Sequence, residues 1–211
     1  LVAQPDLGTA VLITITCFTL LFLVGVRLRY FMVLFLAFSL LLFFLIISKP
    51  ERVERVTAFS NPWADQWDSG WQLSQALIAF GRGEWFGVGL GGSIQKLFYL
   101  PEAHNDFILA VIAEETGILG CSLLLLVFAI LISKIFSIGK RCLQDGRDFP
   151  GLACYFVGIL FSIQVLISVG VSTGALPTKG LTLPLISYGG NSMVVSLFML
   201  GIVLRSLKEM E

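Results

Sequence analysis

The sequence predicts an all-α polytopic membrane protein with five transmembrane helices and one large extracytoplasmic loop. Of the 211 residues, 56% are hydrophobic and only 13% are charged, about half the charged share of soluble domains. The mean hydropathy is +0.90, and apolar runs recur at close to the ~20 residues that a bilayer-spanning helix needs. A soluble globular domain and a disordered chain are therefore excluded. Because the formal net charge is zero, no nucleic acid is expected as a partner.

The first two spans are predicted at residues 7–26 and 30–47, so that residues 1–47 form one pair of transmembrane helices. Arg27 and Arg29 lie in the connection, which is too short for anything but a tight turn. The two helices should therefore be antiparallel neighbours. Pro50 closes the second span because proline cannot continue a helix.

Residues 48–106 differ in composition and are predicted to form a large loop outside the membrane with amphipathic helices. This region contains all four tryptophans, and a helix is expected over residues 65–80. Trp63, Trp67 and Trp71 recur every four residues, which places them on one helix face. They are interpreted either as an aromatic belt at the membrane interface or as a platform for a lipid or sugar.

The remaining region, residues 107–211, is predicted to hold three transmembrane helices. A short apolar segment at 107–113 is interrupted by two acidic residues before a span at 118–138. Further spans follow at 149–171 and 191–204. Between these two lies a segment rich in proline and glycine, residues 172–190, which we call the Pro/Gly loop.

The distribution of charges predicts the orientation of the spans in the membrane. If the 27–30 turn, the 139–148 loop and the C-terminus share one side, that side carries eight basic and four acidic residues. The basic residues are Arg27, Arg29, Lys134, Lys140, Arg141, Arg147, Arg205 and Lys208. Since short cytoplasmic loops carry an excess of Lys and Arg, the C-terminus is predicted to be cytoplasmic and the two long loops extracytoplasmic.

Residues 99–107, which we call the acidic segment, concentrate polar side chains at the mouth of an apolar run. Glu102 and Asp106 would lie one turn apart on a helix, with His104 and Asn105 between them. A carboxylate near the lipid boundary loses hydration and becomes a better proton acceptor near neutral pH. The alternative is an ordinary helix N-terminus with Asn105 or Asp106 as its cap.

Glu114 and Glu115 lie deeper, at the start of a predicted span. Acidic residues at such depth are costly and usually mark function. Alternatively, one of them could form hydrogen bonds with a neighbouring loop.

A glycine-rich stretch, in which Gly87, Gly89 and Gly92 formally match a dinucleotide-binding fingerprint, lies between Arg82 and Lys96. The fingerprint is rejected because no buried strand precedes it and no βαβ unit is present. The glycines are expected instead to allow sharp bends and close backbone approach. The two cations could contact anionic headgroups, or they could simply be solvated.

The Pro/Gly loop contains one basic residue, Lys179. Irregular backbone near membrane depth is tolerated where it lines a cavity or is buried in protein. An ammonium group in such a place suits a phosphate or pyrophosphate. A lysine that snorkels to the interface is the alternative.

These motifs, in this order, resemble the SEDS family of bacterial cell-wall polymerases. The residues that carry the resemblance are Gln4-Pro5-Asp6-Leu7-Gly8-Thr9, Gly81-Arg82-Gly83, Gly87-Val88-Gly89, Leu100-Pro101-Glu102-Ala103-His104-Asn105-Asp106-Phe107, Pro177-Thr178-Lys179-Gly180 and Leu183-Pro184-Leu185-Ile186-Ser187-Tyr188-Gly189-Gly190. The Thr-Lys-Gly pattern and Ala103 are closer to the cell-division branch than to the elongation branch. The resemblance matches about the C-terminal half of a member, so the five spans would be the last five of a ten-helix bundle.

The resemblance implies a peptidoglycan glycosyltransferase that polymerises lipid II into β-1,4 glycan strands at the outer membrane face. Asp106 matches the family's essential acidic residue, which implies a general base for an inverting displacement. Lys179 is the candidate that stabilises the departing pyrophosphate, followed by Arg82 and Lys96. Further candidates for the substrate site are Glu102, His104, Glu115 and Ser187. A divalent cation, Mg²⁺ or Mn²⁺, could help to neutralise the charge of the departing pyrophosphate, although no ligand set in the sequence demands one.

The same resemblance implies the partners and the location of the protein. Lipid II and undecaprenyl pyrophosphate would be its ligands, and a class B penicillin-binding transpeptidase of the FtsI type and other divisome membrane proteins would be its partners. The implied location is the bacterial inner membrane at the division septum. A lipid II flippase and a non-catalytic divisome scaffold are the alternative functions, although nearly charge-free spans and a one-sided polar cluster favour an enzyme.

Overall fold

The computed structural model describes residues 7–48, 70–101, 103–177 and 180–209, and within them every regular element is helical. A short π-helical turn spans Gln95–Tyr99. The α-helices are α1 (Leu7–Leu23), α2 (Leu28–Ile47), α3 (Trp71–Gly83), α4 (Ile108–Gln144), α5 (Asp148–Ser172) and α6 (Gly190–Lys208). The all-α prediction is confirmed.

Four of these helices, α2, α4, α5 and α6, are long and apolar enough to cross a membrane. The first predicted span corresponds to α1, which is apolar but shorter, at 17 residues. It ends at Leu23 rather than at residue 26 because a turn follows, in which Gly25 has φ +81°. That left-handed conformation is one that glycine adopts without steric cost.

The α1–α2 pair has the antiparallel arrangement that the short connection predicts. Phe18 of α1 contacts both Phe31 and Phe38 of α2, with ring centroids 5.7 and 5.8 Å apart. Phe22, one turn later on α1, contacts Phe31 near the start of α2. Most of the large apolar side chains of α2 are exposed, as expected for a helix that faces lipid.

Helix α5 is the centre of the bundle, since α1, α4 and α6 all pack against it. One core cluster joins Ile135 of α4, Phe161 of α5 and Val203 of α6. A second cluster joins Leu12 of α1 to Leu160 of α5 and to Leu181 of the Pro/Gly loop. The bundle thereby anchors the middle of that loop.

Helix α4 is interrupted at Gly117, whose backbone is far from helical at φ +70° and ψ −172°. This break follows Glu114 and Glu115 directly, so the predicted interruption of the apolar run is present in the structure. The segment before the break packs with α3 and the acidic segment in a cluster that includes Ala76, Phe107 and Ala110. It therefore belongs to the extramembrane region as much as to the span.

Besides the end of α1, three predicted helix ends are wrong by several residues. The helix expected over 65–80 is α3, which continues to Gly83. The predicted start of this helix, residues 65–69, lies outside the described residues, and so do Trp63 and Trp67. The spans expected to end at 138 and 204 continue to Gln144 and Lys208. Lys and Arg are good helix formers, and their charged ends reach water from a helix, so basic residues do not end a helix.

Candidate active site

The acidic segment and the Pro/Gly loop meet at the end of the bundle where α4 begins. Tyr188 donates its backbone N–H to the carbonyl of His104 at 2.9 Å. The Ser187 hydroxyl donates to the carbonyl of Asn105 at 2.6 Å and accepts the N–H of Leu183 at 2.8 Å. Because Ser187 is only 2% exposed, these bonds are shielded from water. Ser187 therefore joins the two loops.

Asp106 lies at this junction and is half-buried. The residue after it, Phe107, is 1% exposed and belongs to the core, which fixes the backbone next to the carboxylate. On its other side the Pro/Gly loop passes close by, since a Cβ placed on Gly180 would lie 3.4 Å from Asp106 Oδ2. The carboxylate is thus held beside the residue that follows Lys179 in the chain.

A cavity of about 300 Å³ lies next to this junction, between α1, α5, α6 and residues 180–182. Its polar lining comes from Thr9, Gln164, Thr182, Asn191, Ser192 and Ser196. Within the described part of the chain, Gln164 Oε1 is buried and accepts no hydrogen bond. Gly180 lines this mostly apolar cavity and also faces Asp106, so one residue links the carboxylate to a space that could receive a ligand.

Glu114 has no exposed side-chain surface and accepts hydrogen bonds from four groups. Arg82 Nη1 donates to Oε1 at 2.9 Å, and Ser93 Oγ donates to Oε2 at 2.5 Å. The backbone N–H groups of Ile94 and Gln95 donate at 3.2 Å each. A buried carboxylate needs this many partners to offset its lost hydration. Glu114 therefore fixes the end of α3 and the start of the π-helical turn to α4.

Glu115, the next residue, forms a second ion pair. Lys96 Nζ lies 2.6 Å from Glu115 Oε1, and both side chains retain some exposure. The alternative raised for these acids, a hydrogen bond to a neighbouring loop, is confirmed for both of them. The predictions that Arg82, Lys96 and Glu115 contact substrate remain predictions, and in the structure all three fasten the loop to α4.

The backbone of residues 84–89 is paired with the break in α4. Val88 and Gly89 donate their N–H groups to the carbonyls of Glu114 and Glu115 at 2.9 and 3.0 Å. A Cβ on Gly87 would lie 2.2 Å from the Glu115 carbonyl oxygen, so only glycine fits there. The expectation of close backbone approach is confirmed at Gly87, whereas Gly89 has open space around its Cβ and instead forms a bend with φ +100°.

Among the other predicted site residues, the structure describes His104 but not Glu102 or Lys179. His104 is exposed, and its backbone carbonyl holds the Pro/Gly loop. Glu102 and Lys179 lie outside the described residues. Within the described ranges, no three His, Cys, Asp or Glu side chains cluster as a metal site would require. The divalent cation therefore remains a prediction.

Two residues with a clear part in this region were not singled out from the sequence. Ser93 is 2% exposed and donates to Glu114, and Gly117 allows α4 to break. A Cβ on Gly117 would lie 2.4 Å from the carbonyl carbon of Trp85. The only signal in the sequence was that a glycine follows the two glutamates within two residues.

Comparison with known families decides what kind of protein carries this arrangement. The profile of the FtsW/RodA/SpoVE family, described as cell cycle proteins, matches residues 1–211. The chain belongs to this family. The resemblance noted from the motifs is thereby confirmed.

Curated members of the FtsW/RodA/SpoVE family are similar over the whole chain. A protein of Coxiella burnetii named "Probable peptidoglycan glycosyltransferase FtsW" is 51% identical over 211 residues, which are 100% of this chain and 57% of that protein. The protein of the same name from Legionella pneumophila is 50% identical over 97% of this chain and 52% of its own length. The chain thus spans about half the length of the curated relatives it matches.

Two solved structures of similar proteins share the fold. One is from a study of how a peptidoglycan synthase complex coordinates polymerisation and crosslinking. Its TM-score is 0.70 and its sequence identity is 29%, and the match covers 96% of this chain and 55% of that chain. The other is an Asp-to-Ala mutant of the rod-shape-determining protein RodA of Thermus thermophilus, with a TM-score of 0.59 and 28% identity over 95% of this chain and 49% of its own. Both support a multi-pass membrane protein.

Proposed function

We propose that the chain is the C-terminal half of a peptidoglycan glycosyltransferase that polymerises lipid II during cell division. The observation that carries the proposal is the position of Asp106. Asp106 is half-buried, faces Gly180 at the edge of the cavity and lies where two irregular loops are joined by buried hydrogen bonds. The names of the FtsW relatives and the peptidoglycan synthase neighbour support the same activity.

In the proposed reaction Asp106 accepts the proton of the acceptor hydroxyl. The hydroxyl oxygen forms a bond with the anomeric carbon of the donor sugar, and the bond between that carbon and the pyrophosphate oxygen breaks. The pyrophosphate leaves with the bonding electrons. One such displacement converts an α-linked donor into a β-1,4 product. A positioned base contributes on the order of 10²–10⁴-fold to such a step.

The leaving pyrophosphate needs positive charge, and Lys179 is the proposed source. Its position in the sequence, directly before the Gly180 that faces Asp106, supports this assignment. Arg82 and Lys96 are weaker candidates because carboxylates already neutralise them. A divalent cation could share in neutralising the pyrophosphate.

The proposed setting is the bacterial inner membrane at the division septum, with the C-terminus in the cytoplasm. Substrates tethered to lipid would then reach the junction laterally from the outer leaflet. A class B penicillin-binding transpeptidase of the FtsI type is the proposed partner, alongside other divisome membrane proteins. The excess of basic residues at the opposite end of the helices supports this orientation.

The test is lipid II polymerisation by the full-length protein with its transpeptidase partner. Asp106→Asn is compared with the wild type and with Asp145→Asn, which makes the same change at an exposed site in the loop between α4 and α5. Glycan strands are expected from the wild type and the control, and none from Asp106→Asn. Normal polymerisation by Asp106→Asn would refute the base assignment. Absence of polymerisation in all three would favour the flippase or scaffold, which transbilayer lipid II movement would then separate.

A further inference from the structure

The segment that connects the two ion pairs exposes an unusual amount of apolar surface. Between residues 85 and 97 the only charged residue is Lys96, and Glu115 neutralises it at 2.6 Å. Six apolar side chains of this segment are exposed: Trp85, Phe86, Val88, Leu90, Ile94 and Leu97. We call them the apolar loop surface. A concentration of exposed apolar side chains of this kind marks a contact with another protein or with a membrane.

The depth of the apolar loop surface is fixed by its backbone. Ile118 and Leu119, the first residues after the break in α4, donate their N–H groups to the carbonyls of Glu84 and Trp85 at 2.9 and 3.2 Å. From Ile118 to Gln144 the helix extends about 40 Å, at ~1.5 Å per residue. This length matches a bilayer with its headgroup regions, roughly 40–45 Å thick. The break at Gly117 is therefore at the level of the headgroups.

The apolar loop surface also adjoins an apolar face of α4 that is exposed in the structure. Ile118 and Leu119 are 45% and 49% exposed, and Leu126 farther along the span is 56% exposed. Phe86 and Leu90 are among the most exposed apolar side chains described, at 82% and 86%. We propose that the apolar loop surface inserts into the interfacial layer of the membrane and contacts lipid directly.

The chemistry of the segment favours a shallow insertion. Trp side chains are enriched at the interface between headgroups and acyl chains, and Phe and Leu accompany Trp on the apolar faces of segments that lie in this layer. The backbone of residues 88–93 is irregular, and irregular backbone is not found exposed to lipid within the hydrocarbon core, so the segment stays at the border of that core. Glu84, exposed at the border of the patch, would remain in the headgroup layer. The occupant of the surface is therefore the outer part of one leaflet.

Spin labels on the full-length protein in nanodiscs test this proposal. The native cysteines of this region, Cys17, Cys121, Cys142 and Cys154, are replaced by alanine, and single cysteines are introduced by Phe86→Cys and Leu90→Cys. Both sites are highly exposed, so the substitutions should not disturb folding. Leu126→Cys serves as a reference for lipid exposure and Asp145→Cys as a reference for water exposure. The readout is the collision rate of each label with oxygen and with a water-soluble nickel chelate.

For both loop labels, the expected ratio of oxygen collisions to nickel collisions is several-fold above the ratio at Asp145→Cys. It should be closer to the ratio at Leu126→Cys than to the ratio at Asp145→Cys. A ratio equal to that of Asp145→Cys would overturn the proposal, since the surface would then face water. Low collision rates with both reagents would also overturn it, because the rest of the protein would then cover the surface. Repeating the measurement with the transpeptidase distinguishes a contact with this partner from a contact with lipid. Labels that face water in the absence of the transpeptidase and become immobilised in the complex would contradict a lipid contact.

Discussion

Removing the buried carboxylate of Glu114 should release the loop that precedes the acidic segment. Glu114→Gln keeps the shape of the side chain but replaces one acceptor oxygen with an NH₂ group. That group cannot accept the hydrogen bonds that the neighbouring donors offer. Breaking a buried ion pair costs about 3–5 kcal/mol. Arg82 is 38% exposed and regains some hydration, so the lower end, about 3 kcal/mol, is expected. This loss lowers the free energy of local opening around Ile94 and Gln95.

Amide hydrogen exchange on the full-length protein measures this effect at the affected groups. A loss of about 3 kcal/mol corresponds to roughly 10²-fold faster exchange of the Ile94 and Gln95 amides, which bond to Glu114. Glu115→Gln is the matched control: its ion pair with Lys96 is partly exposed and contributes about 1 kcal/mol or less. The control should accelerate exchange less than about fivefold. Equal effects of the two variants would refute the argument from burial.

Three further variants test other contacts. Gly87→Ala combines a φ of +78° with a Cβ only 2.2 Å from a helix carbonyl, so a loss of about 2 kcal/mol or more is expected in thermal unfolding. Ser187→Ala removes the hydroxyl that bonds Asn105 and should cost about 1–3 kcal/mol by the same measurement. Gly180→Val should reduce lipid II polymerisation more than it reduces stability, because its side chain would contact Asp106 and enter the cavity.

Gly87→Ala and Ser187→Ala each have a matched control variant, and Gly180→Val has an outcome that would contradict the reasoning. Gly91→Ala has a similar φ of +83° but open space around its Cβ, so it measures strain without a clash. If it destabilised the protein as much as Gly87→Ala, close backbone approach would not be the reason for Gly87. Ser187→Thr keeps the hydroxyl and should retain more stability than Ser187→Ala. Polymerisation by Gly180→Val at the wild-type rate would show that the cavity does not receive substrate.

The helical framework could be predicted because it depends on local patterns. The lengths of the apolar runs identify the spans, and the short connection at residues 24–27 requires α1 and α2 to be antiparallel. The two glutamates before Gly117 indicate the interruption of α4. Exact ends could not be predicted in the same way, since Lys140 and Arg141 continue α4 although their charges suggest a loop.

The candidate site could be predicted only in part, because it is built from contacts between distant residues. The motif around Asp106 pointed to the carboxylate. The sequence contains no pattern that pairs Arg82 with Glu114, 32 residues away, or Ser187 with Asn105, 82 residues away. Such pairs depend on how α3 and the Pro/Gly loop pack on the bundle.

The central claim is that Asp106 acts as the base rather than as a binding or structural group. The most direct measurement compares lipid II binding and single-turnover glycan formation in the same samples of full-length wild type and Asp106→Asn. The expected result is binding within about threefold of the wild type and a rate at least about 10²-fold lower, the contribution of a positioned base. A rate within tenfold of the wild type at equal binding would contradict the assignment.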